Sequence, residues 1–95
     1  MSEREDSKAS LLKMWQKDLL DLSDQNSEAV AYHMVNRLTS GDYWDELSED
    51  PLIDEIFDLI GRLEIPKDVY GETDESRIKD WEKVKKLVNE AVKNI

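Results

Sequence analysis

Glu46 and Glu49 stand three residues apart, as do Glu55 and Asp58, and Asp54 precedes Asp58 by one helical turn. Carboxylates at these spacings share a helix face, and oxygen ligands so placed can hold Mg²⁺, a hard cation that keeps several of its waters. The chemistry open to such pairs is metal-assisted hydrolysis, provided that ligands converge on the ion from several elements. Five residues separate Glu49 from Glu55, and Pro51 is among them. Proline starts a helix more readily than it continues one, so the two pairs are expected on different elements and too close in sequence to surround an ion. We therefore read them as a solvated acidic face opposite a Leu52/Ile56/Ile60 stripe, and assign no metal ligand.

Taken together, Glu46-x-x-Glu49 and Glu55-x-x-Asp58 resemble the carboxylate pairs of MazG-type all-α nucleotide pyrophosphatases. The resemblance implies a divalent-metal-dependent nucleotide hydrolase with those four residues as ligands. It departs from the family pattern in the spacing, since the family sets its pairs further apart so that they face each other from two helices. The enzyme reading is kept as the alternative, and the expectation is a protein that is not an enzyme.

The charge distribution is more informative. Between residues 42 and 75 lie thirteen acidic residues and two basic ones, a local charge of −11, whereas the whole chain carries −10. The excess acidity is thus confined to one third of the sequence. Such a field attracts cationic partners and repels nucleic acid and anionic membrane. Within it runs Asp42-Tyr43-Trp44-Asp45-Glu46, two aromatics in a connector flanked by acids. Rings supply contact area at small entropic cost and carboxylates steer, so this is the composition of a hot spot for a basic protein surface. The expected partner-binding residues are Asp42, Tyr43, Trp44, Asp45, Glu46, Glu49 and Asp54. The competing expectation is that Tyr43 and Trp44 fold back onto the core.

Other chemistries find little support. His33 is the only histidine and sits in a helical segment without a serine or acid at convincing spacing, so it is read as an ordinary helix residue. There is no cysteine, hence no thiolate nucleophile, thiolate metal site or disulfide framework. Neither Asp21–Asn26 nor Asp42–Glu49 has the alternating ligands and central glycine of a calcium loop. The three glycines, at 41, 61 and 71, are isolated, so no phosphate-cradling loop exists and no cofactor is expected. The lysines of the last segment are interleaved with Asp80, Glu82 and Glu90, which suits a solvated face rather than nucleic-acid contact. The polar start of the chain does not resemble an export signal, and no apolar run is long enough for a membrane helix. A cytoplasmic protein is expected.

Periodicity then places the elements. Residues 1–6 read as a flexible polar tail and 7–95 as one domain. Leu11, Leu12, Trp15, Leu19 and Leu22 recur at helical spacing, with Lys13, Lys17, Asp18 and Asp21 mostly off that face, predicting a helix over about 8–23. A second helix starts at Asn26 or Ser27, carries Val30, Met34 and Leu38, and closes at Ser40-Gly41. Residues 42–49 connect, with a short helical turn. Asp50-Pro51 is the clearest start signal, opening a third helix to about Leu63 whose apolar residues 52, 53, 56, 57, 59, 60 and 63 mark it as the most buried. Pro66 and Gly71 bound a loop, and Thr73 or Asp74 caps a fourth helix lined by Ile78, Trp81, Val84, Val88, Ala91, Val92 and Ile95. The predicted core is Trp15, Leu19, Met34, Leu38, Ile53, Ile56, Ile60, Trp81, Val84 and Val88. No strand pattern or repeat is present, so the fold class is all-α, a small four-helix bundle. A homo-oligomeric helical subunit, as small as a homo-dimer, is a third functional reading, because helices three and four carry generous apolar surface.

Overall fold

The computed structural model describes residues 3–21, 27–40 and 43–94. They form six helices: α1 (Glu3–Leu20), α2 (Ser27–Thr39), α3 (Tyr43–Leu47), α4 (Pro51–Leu63), α5 (Lys67–Tyr70) and α6 (Asp74–Lys93). The four long ones close a ring in which α1 packs on α2 and α6, and α4 on α2 and α6, while α3 lies against α1 and α2. This is the expected all-α bundle, with no strand among the described residues.

The helix boundaries follow from local chemistry. α1 begins at Glu3, so residues 3–6 are helical rather than a polar tail. Nothing in Glu3-Arg4-Glu5-Asp6 breaks a helix, and acids at a helix start complement its dipole. α4 starts where Asp50-Pro51 predicts, Asp50 Oδ1 accepting the N–H of Leu52 at 3.0 Å and of Ile53 at 3.2 Å. α6 starts behind Thr73, whose Oγ1 accepts the Ser76 N–H at 3.1 Å. The loop between them holds one short helix, α5, and turns at Gly71, whose φ of 67° a residue with a Cβ rarely adopts. Gly41, expected to close α2, lies outside the described residues, as do Leu22 and Ile95.

All ten predicted core residues are buried, and Leu11, Leu12, Val30, Ala31, Leu47, Leu59 and Leu63 join them. α4 contributes most for its length: Ile53, Ile56, Leu59, Ile60 and Leu63 are buried, and Leu52 and Phe57 pack against them. On α6 the buried line is Arg77, Trp81, Val84 and Val88. Ile78, expected on that face, is instead 58% exposed. It follows Arg77 by one residue, about 100° around the helix, so burying one turns the other outward. Asp18 departs in the opposite sense, being buried although it was read as lying mostly off the apolar face of α1.

Two variants test this packing. Ile56→Ala removes a fully buried side chain from the middle of α4 and is expected to cost about 2–5 kcal/mol in chemical denaturation. Gly61 sits inside α4, and a Cβ added there would meet nothing within 4 Å. Gly61→Ala should therefore raise stability by about 0.5–1 kcal/mol, through the lower conformational entropy of the unfolded chain. A loss of stability in Gly61→Ala would show that the position needs glycine for a reason other than space.

Candidate functional site

The short helix α3 and the first turns of α4 bring most of the predicted partner-binding residues to one end of the bundle. α3 is pinned from below by Leu47, which is fully buried, and it ends in hydrogen bonds from Ser48 N to Trp44 O and from Asp50 N to Leu47 O, both 3.0 Å. Tyr43 is half-buried against the core, and its hydroxyl shares a 3.0 Å hydrogen bond with Ser10 Oγ of α1. Trp44 is 42% exposed, its ring set edge-on to Phe57 of α4 with centroids 5.5 Å apart and planes at 66°. The two aromatics thus divide between the two expectations: Tyr43 serves the fold and Trp44 presents a large ring to solvent. Asp45, Glu49 and Asp54 are exposed around it, and Glu46 is half-buried. Asp42 lies outside the described residues.

Asp50, between these groups, is spent on structure. It is 6% exposed, caps α4 through Oδ1, and takes the Lys8 ammonium at 2.9 Å on Oδ2. Burial pushes its carboxyl pKa up, but the Lys8 hydrogen bond and the N–H donors of Ile53 and Leu52 outweigh that and hold it below the usual range. Glu55 reaches Lys83 of α6 at 3.6 Å, an exposed pair of small energetic weight. Asp45, Glu46, Glu49, Asp54 and Asp58 have no ion-pair partner among the described residues, Arg62, one turn after Asp58, included. Glu46 Oε2 is buried with no hydrogen-bond partner.

The carboxylates considered for metal binding do not converge. Glu46 is on α3, Glu49 in the link, and Glu55 and Asp58 on α4 with both side chains exposed. Among the described residues no three acidic or histidine side chains are grouped as ligands of one ion. His33 is exposed on α2, beside a shallow cleft of about 500 Å³ that Arg37 and Tyr43 also line.

Comparison with models of known protein families, with curated proteins and with solved structures finds no match for this chain. The site has to be read from its own geometry.

Two polar devices elsewhere in the bundle escaped the reading of the sequence. Asp18 is buried and grips Arg37 of α2 through two bonds, 2.5 Å from Nε and 2.8 Å from Nη2. Hydrogen bonding to Asp18 raises the Arg37 pKa, against the opposing effect of burial. The signal was there, since Asp18 follows Leu11 and Trp15 by seven and three residues, on their face. Arg77 is the other: its Nη1 donates to Leu63 O at 2.7 Å, its Nη2 to Ile65 O, and its Nε lies 2.6 Å from Glu72 Oε2. It stands four residues before Trp81, in phase with the buried line.

Asp50 makes the pH dependence of this end of the bundle predictable. Its folded pKa is depressed, so its contribution to stability is complete above the unfolded value, about 3.9, and is lost as pH falls through the folded value. Asp50→Ala should cost about 1–2 kcal/mol near neutral pH by removing the cap and stranding Lys8. Asp50→Asn keeps an acceptor but not the charge, so its deficit against the wild type should shrink as pH is lowered below about 4 in denaturation titrations. A deficit independent of pH would show that the Lys8 pairing adds nothing.

Proposed function

We propose that the chain is a non-enzymatic recognition module of the cytoplasm that binds a basic protein surface through residues 43–58. Trp44 is the apolar anchor, and Asp45, Glu46, Glu49 and Asp54 are its charged rim. One observation carries the reading: a tryptophan 42% exposed in a segment with five carboxylates that have no ion-pair partner among the described residues. Carboxylates without an ion-pair partner keep their charge available to a partner's lysine or arginine, and a charge-assisted hydrogen bond is stronger than a neutral one. The neighbouring carboxylates raise the encounter rate with a cationic surface, while burial of the Trp44 ring slows dissociation. Phe57 holds the ring edge-on, which limits the order that binding must impose.

With a partner retained by the immobilised chain, the two contributions should separate kinetically. Trp44→Ala is expected to raise the dissociation rate by at least about 30-fold, the equivalent of a 2 kcal/mol hot spot. Glu46→Lys should mainly lower the association rate and flatten its salt dependence. Trp15 and Trp81 are buried, so a shift in tryptophan emission on binding reports chiefly on Trp44. Unchanged rates in both variants would remove the proposal.

A further inference from the structure

The bundle carries a second charged surface, opposite in sign. Between α1 and α6 runs an open cleft of about 510 Å³ lined by Lys13 and Lys17 on α1 and Lys85 on α6, with no carboxylate lining it among the described residues. In a chain of 23 acidic and 13 basic residues, a cleft whose described lining carries three lysines and no carboxylate is a marked local reversal. Gln16 and Asn89 line it too, joined by an exposed hydrogen bond of 2.9 Å from Gln16 Nε2 to Asn89 Oδ1, as do Leu19, which is buried, and Leu20, which is 75% exposed. Cations, an amide pair and an exposed leucine are the complement of what surrounds Trp44: carboxylates, one of them short of a donor, and an exposed aromatic ring.

The two surfaces cannot meet within one molecule. α3 sits on the α2 side of α1, tied to its first half through Ser10–Tyr43 and Lys8–Asp50, whereas the cleft opens on the α6 side of its second half. From Lys8 to Leu20 the helix advances about 18 Å. We propose that the α1/α6 cleft receives the Trp44 face of a second copy, in a head-to-tail contact with Trp44 against Leu20 and Glu46, Glu49 and Asp54 toward Lys13, Lys17 and Lys85. The proposal rests on the reading of the Trp44 face as a docking surface and names its partner. Such a contact is heterologous: an open assembly of any length keeps one free face and one free cleft at its ends, so association continues beyond the dimer unless a ring closes. The charge of −10 on each copy opposes approach, but at about 0.15 M salt the field decays within about 8 Å, so the lysine–carboxylate pairs in contact dominate over the far side of a molecule 42 Å long.

Sedimentation velocity on the full chain tests this. The average mass of the wild type should rise with concentration past that of a dimer. A cleft variant (Lys13→Glu, Lys17→Glu, Lys85→Glu) and a face variant (Trp44→Ala, Glu46→Lys) should each remain monomeric, all five positions being solvent-facing or half-buried. Mixed in equal amounts, they should form a heterodimer and nothing larger, since the cleft variant retains an intact face and the face variant an intact cleft. That rescue also shows both variants to be folded. A wild type that stays monomeric throughout overturns the head-to-tail contact and leaves the Trp44 face to bind another protein. Assembly abolished by the face variant but not by the cleft variant overturns the cleft as the receptor while sustaining the face. A closed dimer indifferent to both sets of changes overturns the proposal.

Discussion

The buried carboxylate of Asp50 is the constraint on which the rest is hung. A charge taken out of water costs several kcal/mol unless its lone pairs are engaged, and here they are, by two backbone N–H groups of α4 on one oxygen and by the Lys8 ammonium of α1 on the other. The same atoms therefore fix where α4 begins and which part of α1 it stands against. Once the first residue of α4 is set, its phase is set, and Ile53, Ile56, Ile60 and Leu63 point to the core while Asp54, Glu55 and Asp58 point to water. Pro51 reinforces the choice, because it removes an N–H that has no acceptor at that position.

The far end of α4 is held in a complementary way. The last carbonyls of a helix lack intrahelical donors, and the Arg77 guanidinium supplies them to Leu63 and Ile65 while pairing with Glu72. An anion at the first turn and a cation at the last both complement the helix dipole. α1 and α2 are joined by similar means, through the Arg37–Asp18 pair and through the Trp15 indole N–H, which donates to Met34 O at 2.8 Å. Apolar burial supplies the driving force for collapse. These directional bonds select one arrangement of four amphipathic helices from several of similar buried area.

What could be read from the sequence divides along the same line. Features governed by short-range rules were legible: the Asp50-Pro51 start, a cap at Thr73 or Asp74 that falls to Thr73, a stop near Leu63 and ten core positions at helical spacing. Features that depend on a partner distant in sequence were not. Arg77 and Asp18 are charged, and charge argues for solvent; what reverses that is the presence of Leu63 O, Ile65 O and Arg37, which no local window contains. Ile78 lost its expected burial through the same cause, since a buried Arg77 rotates α6 away from it. At the candidate site the segment was legible but its internal division was not: Tyr43 and Trp44 are neighbours of like character, and only the position of Ser10 and Phe57 decides which ring turns inward.

That division bears on why the acidity is concentrated as it is. Among the described residues, the carboxylates that brace the fold include Asp18, Asp50 and Glu72. Asp45, Glu46, Glu49, Asp54 and Asp58 form no ion pair among the described residues, and like charges concentrated in one segment repel one another. Lys13, Lys17 and Lys85 line a cleft on the α1/α6 side, and Lys83 reaches Glu55 of α4. A surface designed for solubility alone would intersperse the two signs. Keeping them apart, with an exposed tryptophan in the acidic field and an exposed leucine beside the basic one, costs self-repulsion in the isolated molecule that contact with an oppositely charged surface relieves.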